Sequence, residues 1–185
     1  MEIKDGSKDF KILYLSNAPF TPSGYGVQCA GNCYDWVKHY DVRVLANYGL
    51  DGRMIALNNL PIYPILHGDN NGDRTAELIF RTWKPDIFIT LYDIWMGAYV
   101  REGTPPKMFR PIHPHWIPII MVDHEPIPEA TLIQAADAAY KIVTPTHYGV
   151  EQFKKFNVPV EYIPFGIDTS VFKPLPDKAK LKVRM

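Results

Sequence analysis

Long apolar runs and an excess of one charge are both missing from this chain. No stretch of its 185 residues approaches the ~18–20 uninterrupted apolar positions that a membrane-spanning helix needs. The amino terminus, Met1 to Asp9, is polar and carries both signs of charge, which argues against a secretory signal. Twenty Lys and Arg balance twenty Asp and Glu, whereas a duplex-binding domain needs a basic surplus on one face to release counterions. Nucleic acid is therefore not an expected partner, and the chain itself is expected to be soluble and cytoplasmic. Cysteine is scarce as well: Cys29 and Cys33 are the only two, and His39 is the one histidine near them in sequence. A spacing of four stacks both thiols on one helix face, which suits two small buried hydrophobes better than a metal site.

What is present fits a single globular domain. A hydrophobic share of 46% against 22% charged residues is ordinary for one, and the length allows a sizeable core. Apolar runs at Phe10 to Leu15, Val42 to Ala46, Pro61 to Leu66, Asp86 to Leu91, Trp116 to Val122, Tyr140 to Val143 and Val160 to Ile163 read as strands. Pro118 lacks a backbone donor, which points to an edge position or a strand start. Between the strands, Val27, Ala30, Tyr34 and Val37 recur at helical steps within 25–39, and Ala76, Ile79, Phe80 and Trp83 do so before Pro85. Two further helices are expected at Ala130 to Ala139 and from a Thr146 cap to Phe156. Strands alternating with helices predict an α/β, Rossmann-like doubly wound domain with a mainly parallel sheet of about seven strands. Met1 to Asp9 is expected to be disordered or loosely attached, 10–172 to form the domain, and the proline-rich and then basic 173–185 to act as a linker.

In such a sheet ligands bind beyond the carboxyl ends of the strands, where strand order reverses. After strand one comes Ser23-Gly24-Tyr25-Gly26, directly before a helix. Its glycines and free helix-start amides suit a phosphate, or serve the turn geometry alone. It is not a dinucleotide fingerprint: Cys29 stands where a third glycine belongs, and Ala46-Asn47 stand where an acidic residue should end strand two. Asp93, after strand four, either orients a sugar hydroxyl or caps a helix starting near Trp95. After strand five, Asp123-His124-Glu125 places three polar groups at the cleft. His124 is suited to hold a sugar hydroxyl or to sense leaving-group charge. From Arg101 to Trp116, cations alternate with Met108, Phe109 and Trp116, a mixture that fits a lipid headgroup, an acceptor sugar or a solvated loop. His113 and His115 within it lack a nearby carboxylate and make a weak metal site.

The segment Ile163-Pro164-Phe165-Gly166-Ile167-Asp168, followed by Phe172-Lys173-Pro174, resembles the domain-junction signature of retaining GT-B glycosyltransferases, family 4 in particular. That family has Asn where Phe165 stands. A turn at Gly166 closed to other residues and prolines that stiffen a domain passage make physical sense of it. The resemblance extends over about Phe10 to Pro174. It implies that Ser23, Gly24, Tyr25 and Gly26 face the donor phosphates and that His124 is the catalytic-centre histidine at the donor sugar. Asp93, Asp123 and Glu125 then become acceptor-side candidates, and Pro164, Gly166 and Asp168 mark the junction.

The resemblance further implies one half of a GT-B enzyme that moves a hexose from a nucleotide-diphosphate sugar to a carbohydrate or lipid-linked acceptor with retention. No cofactor and no metal are expected. The family's donor-side pair of glutamates with seven residues between them has no counterpart here, so a donor-binding carboxyl-terminal domain is expected to be missing and the fragment alone to be inactive. Peripheral contact with the inner face of a membrane is a compatible location. The alternatives are a nucleotide-sugar epimerase of the same fold and a stand-alone carbohydrate-binding module.

Overall fold

The computed structural model describes residues 8–93, 96, 115–123, 125, 127 and 129–174. Along the chain these form β1 (Lys11–Asn17), α1 (Gly24–Trp36), β2 (Asp41–Tyr48), β3 (Ile55–Leu57), β4 (Leu60–Pro64), α2 (Asp73–Trp83), β5 (Ile87–Leu91), β6 (Trp116–Ile119), α3 (Glu129–Ala138), β7 (Val143–Thr144), α4 (His147–Lys155) and β8 (Glu161–Tyr162). All eight strands join one sheet in the order β3-β4-β2-β1-β5-β6-β7-β8. Every neighbouring pair is parallel except β3 with β4. The chain is thus α/β with a mostly parallel sheet flanked by helices.

The apolar runs of the sequence are explained by burial on both faces of the sheet, as parallel strands require. Successive side chains of a strand point to opposite faces. On β1, Leu13 and Leu15 join one cluster with Phe80 and Trp83 of α2, Leu132 of α3 and Phe153 of α4. Ile12 and Tyr14 join the other with Cys29 and Cys33 of α1. Three helices therefore cover one face, while among the described residues α1 alone covers the other. Phe80 and Phe88 meet edge to face with centroids 4.9 Å apart, fixing α2 against β5.

Helix ends follow local chemistry. Ser23 is extended and its hydroxyl accepts from Gly26 N at 3.0 Å, capping α1. Thr146 caps α4 in the same way, from Gly149 N at 2.9 Å, as the sequence suggested. α2 begins differently. Gly72 sits at its cap with φ 93° and supplies no side chain, and Asp69 replaces it by accepting from Gly72 N (3.0 Å) and Thr75 N (2.9 Å). α2 stops at Lys84 in the left-handed region, just before Pro85.

Several expectations need correction. The sheet has eight strands rather than about seven, because β3 forms an antiparallel hairpin with β4 through Asn58 and Asn59, both at positive φ. Asn tolerates that conformation, which closes the turn. Pro118 lies in β6, an interior strand, at neither its start nor a sheet edge. Ile120 N donates toward Val143 O (2.8 Å), and residues two apart turn the same way. The nitrogen of Pro118 therefore faces the side on which β7 has not yet begun, and no ladder bond is lost. Strand five ends at Ile119 rather than Val122, and the last two strands shrink to Val143–Thr144 and Glu161–Tyr162.

Phe88 is fully buried, so Phe88→Ala should cost about 3–5 kcal/mol of unfolding free energy. Urea denaturation of the two proteins measures the difference, and a cost under about 1 kcal/mol would place Phe88 outside a packed core.

Candidate functional site at the strand-order reversal

β1 is central. The chain winds outward from it through β2 to β4 and β3, then returns to β1's other side with β5. The reversal between β1 and β5 opens a crevice beyond their carboxyl ends. A buried hydrogen bond from Ser16 Oγ to Leu91 O (2.8 Å) ties the two strand ends together at that point.

One wall is the loop after β1 and the start of α1. Ser23 Oγ accepts from Asn17 Nδ2 (2.8 Å) as well as from Gly26 N, which holds the helix start against the strand end. The two glycines of this turn differ. A Cβ at Gly26 would lie 2.3 Å from Thr21 O, whereas one at Gly24 would meet nothing within 4 Å. Gly26 thus serves close packing of the loop, and the exposed Gly24 leaves its side open to a ligand. The first-turn amides of Gly24 and Tyr25 have no helical acceptor and carry the positive end of the α1 dipole.

The other wall is the end of β5. Tyr25 Oη donates to Asp93 Oδ1 at 2.5 Å, joining α1 to the residue that follows Tyr92. Burial raises the Tyr25 phenol well above its ordinary value, and the hydrogen bond and charge of Asp93, with the charge of Asp123 behind it, push the same way. The phenol therefore stays protonated and acts as a donor. Of the expected site residues, Ser23, Gly24, Tyr25, Gly26, Asp93 and Asp123 come together at this crevice. The carboxylate of Asp93 accepts from Tyr25, and the helix start expected near Trp95 lies outside the described residues.

Other candidates go elsewhere. The Glu125 carboxylate is held on the surface by Lys155 Nζ at 2.5 Å, and that bond keeps it below the usual glutamate range. Asp168 folds back on its own turn, accepting from Ser170 N at 2.8 Å. Gly166 is not in the left-handed region and a Cβ there would meet nothing within 4 Å, so the turn is open to other residues, contrary to expectation. Pro164 and Phe165 line a groove of about 470 Å³ on the α1 side of β5, β6 and β7, floored by Ile89, Ile117 and Ile119 and bounded by Trp36. Among the described residues α1 covers only part of this face, and the apolar hollow lies beside it. His124 and residues 97–114, with His113, lie outside the described residues. Cys29 and Cys33 are fully buried free thiols with sulfurs 4.0 Å apart. Among the described residues no group of three or more His, Cys, Asp or Glu is placed to hold a metal ion, and no helix is long and apolar enough to cross a membrane.

No family model matches the chain, and no curated protein is significantly similar to it.

A polar cluster outside the expected site residues lies at the start of α2. Asp69 is buried and spends its carboxylate on Gly72 N, Thr75 N and the Thr75 hydroxyl (2.6 Å). Asp73 is pushed up from 3.8 to about 6, first by burial and then by the charge of Asp69. The only sequence signal was two aspartates a helical turn apart, which reads equally well as a solvated cap.

Two predictions follow from this geometry. Gly26→Ala should lower stability by about 1–3 kcal/mol through overpacking, while Gly24→Ala should be neutral or stabilising by up to about 1 kcal/mol. Parallel urea melts check the contrast, and equal effects would contradict it. For Asp73, the folded chain keeps a proton that the unfolded chain has already lost between pH 4 and 6. Stability therefore falls as pH rises through that window and levels off above it. Asp73→Asn should flatten this slope and raise the melting temperature at pH 7.5 relative to the native chain, with the gap closing toward pH 4. A melting temperature unchanged at both ends would remove the assignment.

Proposed function

We propose that this chain is the acceptor-side, amino-terminal domain of a GT-B type glycosyltransferase, acting on a nucleotide-diphosphate sugar and a hydroxyl acceptor with retention. The observation that carries the reading is the pairing of opposite polarities across one switch point. Uncommitted amides at a glycine-rich helix start face carboxylates at the adjoining strand ends, and Tyr25 links the two. The amide wall suits the charge that develops on a leaving diphosphate. The carboxylate wall suits an attacking hydroxyl, which needs an acceptor for its proton. Tyr25 holds Asp93 through one oxygen, leaving the other available to a hydroxyl. The junction-like sequence from Pro164 to Asp168 supports a second, donor-binding domain in the working enzyme. Closure of that domain would exclude water and complete the site.

In this reading the donor is held mainly by the second domain, and the present chain contributes one wall. The 185-residue chain should therefore bind nucleotide-diphosphate hexoses weakly and turn none of them over. Isothermal titration and a coupled assay for released nucleotide diphosphate, run across a panel of nucleotide sugars, test both statements. Turnover at an ordinary enzymatic rate would overturn the half-site reading. Failure to bind any nucleotide sugar or any carbohydrate would overturn the transferase reading altogether. Firm carbohydrate binding that Asp93→Asn leaves intact would favour a stand-alone binding module.

A further inference from the structure

The connections that carry the chain across the sheet are one-sided. α2, α3 and α4 lead into β5, β7 and β8, each moving the chain in the same direction. Right-handed crossovers of one direction fall on one face, and all three helices pack in the cluster opposite α1. Among the described residues, the apolar groove floored by Ile89, Ile117 and Ile119 therefore has no crossover helix of its own, and α1 reaches only its edge at Trp36.

The same chain holds an apolar turn out to water. Phe165 and Gly166 line the groove, and the turn follows directly. Asp168 O accepts from Val171 N (3.1 Å) and Phe172 N (2.8 Å), and Asp168 Oδ1 accepts from Ser170 N (2.8 Å). These bonds close one helical turn, which sets Ile167 and Val171 on one side, four residues apart, with Phe172 beside them. Ile167, Val171 and Phe172 are 67%, 70% and 67% exposed, and Ile163 at the groove's lip is 56% exposed. A hydrogen-bonded turn that shows three large apolar side chains to solvent marks an interaction surface. Its own groove does not take it, for none of the three lines the hollow from which the turn emerges.

We infer that groove and turn are the two halves of a contact between two copies of this chain, the 167–172 turn of each seated in the groove of the other. One copy cannot join the two features. A second copy joins both at once, and the two-fold axis that relates them closes the assembly as a dimer. Three side chains two-thirds exposed, the groove surface they cover and the repeat of both by symmetry come to on the order of 1,200 Å², the lower end for a specific interface. That area suits a weak, reversible dimer. The charges match as well. Asp168 precedes the apolar residues of the turn and Lys173 follows them, while Lys141 and Glu161, themselves paired at 2.8 Å, stand at the groove's rim. Each copy thus brings one charge of each sign to the other's pair. The contact goes beyond the transferase reading and does not rest on it, since it uses neither wall of the crevice.

Sedimentation velocity of the 185-residue chain tests the inference, beside Phe172→Asp in the turn and Ile163→Asp at the groove's lip. Both side chains are exposed, so both variants should fold, which thermal melts check. Over roughly 5 µM to 1 mM the native chain should pass from monomer to dimer, with a dissociation constant on the order of 100 µM. Each substitution should weaken the dimer at least about tenfold. NMR dilution of the native chain gives a reading that needs no variant: the signals of Ile119, Ile163 and Phe172 should shift together with concentration. A chain monomeric throughout, a dimer that either substitution leaves unchanged, or shifts confined to other residues would overturn the inference. If the chain is monomeric and dimerises only once 175–185 is removed, its own tail fills the groove and the inference falls.

Discussion

The requirement that a parallel sheet be covered on both faces governs this molecule. β1 sits at the middle of the sheet with β2 on one side and β5 on the other, and its residues alternate between two separate cores. Because the chain leaves β1 in one direction and returns on its other side, the loops after β1 and β5 must part at their carboxyl ends. The crevice is a consequence of that winding. The hydrogen bond from Ser16 to Leu91 O marks where the ladder gives way to it.

Every polar feature of interest is placed by this arrangement. Helices that return to the amino ends of their next strands begin at the carboxyl edge, so their unsatisfied amides gather there. α1 supplies a glycine-rich start on one face and α2 an aspartate-capped start on the other. Between them stand Asp93 and Tyr92, consecutive in sequence and pointing to opposite faces because a strand alternates. Asp93 is met by Tyr25, and Tyr92 is buried in the core on the α2 side. The coverage of the two faces is unequal: three helices on the α2 side, α1 alone on the other among the described residues. The apolar groove beside Trp36 lies on the thinly covered face.

Much of the fold was legible in the order of residues. The apolar runs, the threonine cap at Thr146 and the stop before Pro85 are local signals with local causes, and the structure carries them at nearly the expected positions. The β3–β4 hairpin was missed because its closing turn uses Asn58-Asn59 rather than a glycine, and because β3 is only Ile55–Leu57. Pro118 was misjudged for a different reason. Whether a strand proline costs a ladder bond depends on how far its neighbour extends, and β7 is short. At the site, Tyr25 and Asp93 were each legible as candidates, but nothing in their separation along the chain announces a 2.5 Å contact. Glu125 looked equivalent to Asp123 in sequence, yet Lys155 takes its carboxylate.

The sequence by itself determined the class of the domain: strands buried on both sides, helices between them, and a glycine-rich helix start after the first strand. These follow from the period of hydrophobicity and from caps, which act over a few residues. Only the tertiary structure decided which loops share a crevice, which glycine is sterically required, and which carboxylates lose their water. Those depend on strand order and on helix-to-sheet register, and both are set by contacts between residues far apart in the chain.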